Sequence, residues 1–455
     1  MLCQTVQLVT NTALLGHQEN PKDLLAALGL GTLTINIAAF SVVYTFNNSL
    51  MTLVSQAFGL KDYRLSALYV NRQVILAILL YLPQALLLFR FSEPIFLSLG
   101  IPNDIAFTAT TYVKVVMIGH LFLNISNCYQ KYLSAQREVR LQMGSYLIEF
   151  VFHIVLAFVL TTKYQMGVLG IALVTCLDYV LRFVVLQLFI YHSRFQENLI
   201  SYFDPDSWTN LGPQLLLSLK SLLMGYWLHR SYQMFSVITL FMSSDVIAAQ
   251  HICISIISIF HVIPISLSMA FSVLVGNMIG ASQIKEAKAY VKFGLTSGIL
   301  WGIFCALVLT LFRPQIIATF SKSESVNADV AQSYHMLTAY LLVEPMSKIM
   351  TGIVTGLGKQ GVASIFTLIG YWVIGIPLTL ISVFNYQGGL YGIWLGASVS
   401  ILFIFSACYV MMKRSNYELL AKQARERRQR EIHQNNKNDQ NSNLANLQVR
   451  MISSL

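Results

Sequence analysis

Five ionisable side chains stand inside long apolar runs: Glu344 in YLLVEPMSK, Glu149 and His153 in YLIEFVFHIV, and Asp178 with Arg182 further along. Such a group at bilayer depth costs at least about 2.5 kcal/mol by insertion scales, so one that persists there is a candidate for function. A carboxyl group takes up and releases a proton, and an imidazole does so near neutral pH. The chemistry on offer is therefore proton carriage. Glu344 is the leading candidate for a coupling acid, and Pro345 beside it removes a backbone donor and makes local bending plausible. The competing reading pairs Glu344 with Lys348, one turn on and on the same helix face.

Glu149 and His153 stand at i,i+4, as a proton-carrying pair or as simple helix–helix hydrogen-bonding groups. Asp178 and Arg182 repeat that spacing and read as an internal ion pair. His229 and Arg230 place positive charge inside another apolar segment, where they could attract an anionic or zwitterionic substrate. Arg230 could instead neutralise Glu344 or reach the membrane interface. Trp227, Tyr232 and Tyr371 could stack on a flat or cationic molecule, although aromatics in membrane helices also serve as packing or interface anchors. The candidate coupling residues are Glu344, Glu149 and His153; the candidate substrate-binding residues are Trp227, Arg230, Gln250 and Tyr371. The chain has no GxxxxGK[ST] loop, HExxH pair or GxSxG elbow, so neither catalysis nor a cofactor is expected.

These residues need helices to hold them. Of 455 residues, 55% are hydrophobic and 11% charged, about half the charged fraction of a soluble domain. A bilayer core of about 30 Å takes roughly 20 helical residues to cross. Apolar runs between polar breaks place twelve spans near 1–16, 24–48, 70–91, 106–128, 143–162, 168–191, 214–241, 248–275, 290–312, 331–355, 362–384 and 389–412. The first is short and polar, as if clipped, and lacks the basic start and cleavage site of a signal peptide.

The formal net charge of +10 lies largely in the tail after Met412, which opens KRSNYELLAKQARERRQR and continues rich in Asn and Gln. That composition predicts a largely disordered tail whose first part lies as a basic helix on anionic lipid, with no nucleic-acid partner. Alternate loops carry the basic residues: Lys61, Arg64 and Arg72; Lys131, Arg137 and Arg140; Arg194; Lys285, Lys288 and Lys292; Lys359; then the tail. Positive charge stays inside, so the C-terminus is expected in the cytoplasm, in the plasma membrane or a vacuolar or other endomembrane. The six cysteines are widely spaced and form neither a disulfide framework nor a metal site.

The sequence also repeats at an offset of about 222: YQMGVLGI at Tyr164–Ile171 returns as YQGGLYGI at Tyr386–Ile393, Tyr112 aligns with Tyr334 and Arg137 with Lys359. Gly59, Tyr69 and Val70 match Gly280, Tyr290 and Val291 one residue closer. The expected architecture is all-α and polytopic: a six-helix bundle over 1–192, a cytoplasmic linker over 193–213, a second bundle over 214–412 and the tail over 413–455. Six spans per unit keep both halves in one orientation, with a pseudo-two-fold axis along the membrane normal and room for a cavity between them.

SLMTLVSQAFGLKDY from Ser49, its partner LVGNMIGASQIKEAKAY from Leu274, and IAAQHI, VIPISLSMAFSVLVGN and TGLGKQGVASIFTLIGYWVIGIPL, in that order, resemble segments of the multidrug and toxic compound extrusion (MATE) family, especially its eukaryotic branch. The resemblance covers nearly the whole chain apart from the tail. It implies antiport of a small-molecule substrate, of the organic or xenobiotic kind, against H⁺ or Na⁺ by alternating access, and it puts Glu344 in the place of the family's tenth-span acid. Two departures stand out: Trp227 is followed by Leu228, His229 and Arg230 where the family carries a glutamate, and Ser255 is uncharged where animal members place an acid. They leave room for a flippase of lipid or lipid-linked substrates within the same superfamily, or for a transport-dead membrane scaffold.

Overall fold

In lipid every backbone polar group must be satisfied within its own segment, and the chain answers with helices. The computed structural model describes residues 2–16, 18, 21–195, 199–201, 204–239, 241–242, 244–320 and 324–430, and among them all regular structure is helical. In order these are α1 (Leu2–Gly16), α2 (Pro21–Ile35), α3 (Ser41–Phe46), α4 (Ser49–Gly59), α5 (Tyr63–Ser98), α6 (Asn103–Ala135), α7 (Arg140–Phe158), α8 (Gly167–Tyr191), α9 (Leu211–Thr239), α10 (Ser244–Gly280), α11 (Ile284–Leu311), α12 (Arg313–Phe320), α13 (Glu324–Gly356), α14 (Gln360–Leu368), α15 (Ile376–Leu380) and α16 (Gly389–Lys413). A last helix, α17, runs over 417–430. Lys322 and the Asn/Gln-rich end of the tail lie outside the described residues.

Nine helical stretches among the described residues are long and apolar enough to cross a bilayer. The expected spans near 1–16, 214–241 and 331–355 are not among them. α1 has only 15 residues, while α9 carries Lys220, His229 and Arg230, and α13 carries Glu344 and Lys348.

The apolar cores divide the chain into two lobes. One core draws its buried members from 224–420, and the other two from 15–195. The internal repeat is legible in the backbone. Left-handed φ angles recur at Gln165 and Gln387 (50° and 52°), at Gly167 and Gly389 (55° and 54°), and at Lys61 and Ser282 (56° and 59°). π-helical turns recur at Val159–Lys163 and Ile381–Asn385.

Within the second lobe, α11 shows how the helices divide their faces. Phe293, Leu300, Phe304, Leu307 and Leu311 are exposed on its outer side, where lipid would lie, while Gly294, Gly298 and Gly302 face α13. A methyl group on Gly302 would sit 2.3 Å from the Leu342 carbonyl oxygen. Small residues every fourth position let two membrane helices close to backbone contact. α10 meets α13 in the same manner, with Gly352 against Ser268 and Gly356 against Ser272. These crossings clamp the stretch of α13 that carries Glu344. Gly358, in the turn between α13 and α14, has a left-handed φ of 75°.

The two lobes touch where α4 crosses the end of α10, the two segments that the sequence repeat relates. A methyl on Gly59 would lie 2.1 Å from the Asn277 carbonyl oxygen, and one on Gly280 the same distance from that of Gln56. Around this crossing Thr52 Oγ1 donates to the Thr355 carbonyl at 2.5 Å, and Gln56 Nε2 donates to the Gly356 carbonyl at 3.1 Å. The loop residues 60–62 and 281–283, together with α17, cap this end of the molecule, called the tail end below.

Arg72 and Lys131, two of the basic residues that the sequence assigns to loops, lie buried within helices. Arg72 is fully buried in α5, where its guanidinium donates to the Asp206 carbonyl at 2.9 Å and binds the interlobe linker to the first lobe. Arg64 reinforces this strap through the Asp206 carboxylate at 2.8 Å. Lys131 lies four residues inside α6, buried, donating to Asn48 Oδ1 at 2.7 Å with its ammonium 4.2 Å from the Tyr44 ring centre. A helix longer than its apolar run draws such residues into the bundle.

The crossing yields a first test. Gly280→Ala should destabilise the protein by about 2 kcal/mol, as overpacking against backbone does. Gly29→Ala, whose methyl would meet nothing within 4 Å, should be neutral or slightly stabilising. Thermal unfolding of both variants in detergent checks the contrast; equal midpoints would contradict the tight crossing.

Candidate functional site

Proline decides the geometry around Glu344. Pro264 in α10 has no N–H for the carbonyl of Phe260, one turn back, and the indole Nε1–H of Trp301 donates to that oxygen instead at 3.2 Å. The turn so opened carries His261, whose Nδ1 lies 2.5 Å from Glu344 Oε1. Glu344 is completely buried, whereas the His261 side chain keeps 24% exposure. The Glu344 oxygens receive no well-aligned hydrogen bond from the described residues. The contact is thus a close approach of imidazole and carboxyl rather than an aligned hydrogen bond.

Neither expected partner of Glu344 takes that place. Lys348 shows no ion pair with it among the described residues; its ammonium sits 5.6 Å from the Tyr232 ring centre. Arg230 reaches into the other lobe, donating to the Ile37 carbonyl and to Gln233 Oε1, the latter at 2.7 Å. The Ile37 oxygen is available because it belongs to the π-helical stretch Asn36–Phe40, where the Ser41 N–H bonds back to Asn36 rather than to Ile37. The arginine therefore ties α9 to the first lobe.

The aromatic candidates part company. Tyr371, buried in the π-helical stretch Ile369–Gly375, packs with Tyr232 and Phe235 at centroid distances of 6.0 and 6.3 Å. Tyr232 is hydrogen-bonded through its hydroxyl to Tyr340, four residues before Glu344. Tyr371 thus belongs to the Glu344 surroundings. Trp227 lies apart from that cluster, edge-on to Trp372 at 6.0 Å, whose indole N–H donates to the Trp227 carbonyl at 3.2 Å. Gln250 is buried in α10, and its Oε1 accepts no hydrogen bond from the described residues.

The first lobe holds a second buried network, and its pairing is crossed. Arg182 forks onto Glu149, its Nε donating to Oε2 at 2.6 Å and its Nη2 to Oε1. His153 Nδ1 meets Asp178 Oδ2, and its Nε2 lies 2.9 Å from Asn11 Oδ1 of α1. The i,i+4 pairings expected along each helix are thus replaced by pairings between helices. α7 and α8 run antiparallel, so a step from 149 to 153 on one is matched by a step from 182 to 178 on the other. All four side chains are buried, and a buried charge finds a better counterion directly across a helix contact than on a staggered neighbour. Tyr146 adds a ring face 4.5 Å from the guanidinium carbon of Arg182.

The repeat-equivalent positions in the second lobe, 222 residues on, are Tyr371, Gly375, Ser400 and Ile404. There Gly375 abuts Ser400 and Gly370 abuts Ile404, so the helix crossing is kept without its charges. Among the described residues no group of three or more His, Cys, Asp or Glu side chains is arranged to hold a metal ion. Sequence reasoning missed His261, Asn11 and Tyr340. His261 could have been found by the rule that found Glu344, since it is an ionisable residue inside the apolar run SIFHVIPI; Asn11 and Tyr340 carry no charge to give them away.

Comparison with known proteins agrees with this architecture. The MatE family model matches residues 1–159 and 222–381, one block in each lobe. Protein DETOXIFICATION 36 of Arabidopsis thaliana is 27% identical over 412 residues, covering 89% of this chain and 80% of that protein. Multidrug and toxin extrusion protein 1 of Danio rerio is 24% identical over 389 residues, covering 85% and 65% respectively. The crystal structure of the eukaryotic MATE transporter AtDTX14 superposes with a TM-score of 0.85 at 21% identity, over 93% of this chain and 95% of that one. With the family model spanning well over half of the sequence and the solved fold shared nearly end to end, the chain belongs to the MatE family and is a multi-pass membrane transporter.

Proposed function

We propose that the protein is a secondary antiporter that exports organic compounds in exchange for protons by alternating access, with Glu344 as the coupling acid. The observation that carries this reading is the fully buried Glu344 carboxylate held 2.5 Å from the His261 imidazole and bordered by Tyr340, Tyr232 and Tyr371. A proton that arrives at this pair removes a carboxylate charge from a buried position, and a cationic substrate seeks the same charge. Competition of the two for one carboxylate links their fluxes, because each favours a different state of the carrier. The names of the relatives, detoxification and multidrug and toxin extrusion proteins, support organic compounds as the cargo.

The first-lobe network is assigned a second, complementary place. His153, flanked by Asp178 and Asn11 through its two ring nitrogens, is the proton-carrying member, and Glu149 with Arg182 is the ion pair that holds it in position. Tyr371 is the substrate-facing aromatic, and Gln250 and Trp227 are further substrate contacts. Arg230 acts as a tie between lobes that engages in the closed state. In this reading α1, α9 and α13 complete a set of twelve spans, and the tail end faces the cytosol.

Two measurements test the assignment. In proteoliposomes driven by a pH gradient, Glu344→Gln should lower uptake of a planar organic cation by about tenfold or more, the scale of a typical coupling free energy. Its elution profile and unfolding midpoint should stay near the parent's, and flux unchanged by the substitution would remove Glu344 from the coupling role. Glu149→Gln should behave differently, because it strands a buried arginine and so costs about 3–5 kcal/mol of stability. Its signature is a lowered unfolding midpoint and poor yield; a stable Glu149→Gln protein that has lost proton-driven flux would instead make Glu149 a coupling residue.

A further inference from the structure

The first part of the tail does not lie free. Tyr417, Leu420, Ala421 and Ala424 are buried against the bundle, and Lys422 and Arg425 point outward. The helix begins on the second lobe: Ser415, just before it, accepts from Lys359 Nζ at 3.0 Å, Tyr417 receives the Lys288 ammonium 5.6 Å from its ring centre, and Tyr417 and Leu420 join that lobe's core. It ends on the first lobe, where Ala424 and Arg427 line a small cavity together with Leu53, Ala57 and Leu60. Arg427 Nη1 donates to Gln56 Oε1 at 3.2 Å, and Arg428 Nε donates to Asp62 Oδ2 at 2.7 Å. Fourteen helical residues reach about 20 Å at 1.5 Å each, enough to bridge the two lobes.

The place of attachment is telling. Gln56, the acceptor for Arg427, is itself a member of the lobe contact, donating to the Gly356 carbonyl and abutting Gly280. Any rocking that parts the lobes at the tail end must pull Gln56 and Asp62 away from a helix rooted in the other lobe. We propose that α17 is a releasable lock: it holds the tail end closed while Arg427 and Arg428 are engaged, and it must let go before this end can open. The inference rests on the alternating-access reading only for its use in a cycle; the lock itself is a matter of lobe separation. Its bonds suit release, since both arginines contact the first lobe through side chains alone and Arg428 keeps 40% exposure.

Accessibility of the seam tests this without any transported substrate, so a failure of the lock is distinct from a failure of the transport reading. Thr355→Cys places a thiol beside the Thr52 contact, at a position now 7% exposed. Full-length protein in proteoliposomes with the tail side outward is treated with a membrane-impermeant maleimide, and labelling of the peptide containing position 355 is followed by mass spectrometry. With Arg427→Ala and Arg428→Ala together, labelling should quicken about tenfold, the scale expected when two partly exposed polar interactions are removed. Lys422→Ala with Arg425→Ala, which removes equal charge from the outer face, should label like the parent. Arg428→Gln alone should give a smaller rise, which keeps the test open if the double variant folds poorly. Unchanged labelling in the arginine variants, or an equal rise in both pairs, would overturn the lock.

Discussion

A charge that cannot reach water has to be cancelled at short range by another group of the same protein, and most of what is particular to this structure follows from that constraint. Arg182 is answered by Glu149, His153 by Asp178, and Glu344 by His261, each across a contact between two helices. Arg72 and Arg230 donate to backbone carbonyls, one on the linker and one in a π-helical turn. Every one of these contacts joins two different elements of the chain. The buried polar groups are therefore also the fasteners of the bundle, and removing one partner costs more than the bond was worth, because the other is left stranded.

Glycine performs the opposite service at the crossings. Where α11 and α10 press on α13, and where α4 meets the end of α10, backbone approaches backbone with no side chain between. Lipid tails give no hydrophobic reason for two helices to prefer each other over solvent, so close van der Waals contact has to supply it. The result is a close-packed frame inside each lobe and a close backbone contact between the lobes at the tail end. Such a contact can part as a unit, and it is this contact that α17 spans.

The two lobes share a fold but not an electrostatic design. Left-handed turns, π-helical turns and helix crossings recur at the repeat offset, yet the charged set on α7 and α8 has uncharged residues at the corresponding places in the second lobe. That lobe carries its titratable pair on α10 and α13 instead. The first lobe sets four of its buried ionisable groups in one network of crossed pairs, while the second holds the Glu344 carboxyl against the partly exposed His261 imidazole.

Apolar run length, turn residues and the insertion cost of a charge are all local properties, so the helices, the repeat, the family and the short set of ionisable residues at bilayer depth are legible in the sequence. Glu344 was legible for that reason, and His261 would have been by the same rule. Which charge meets which was decided only by the tertiary structure. Spacing of i,i+4 along one helix says that two residues share a face; it does not say what lies opposite, and the antiparallel register of α7 against α8 replaced both expected pairs with crossed ones. Arg72 and Lys131 read as loop residues and proved buried, since only packing shows how far a helix runs beyond its apolar stretch. The basic composition of 413–430 points to a helix lying on anionic lipid, yet four small or apolar residues on one face of 417–430 pack at a seam between lobes that no local pattern could reveal.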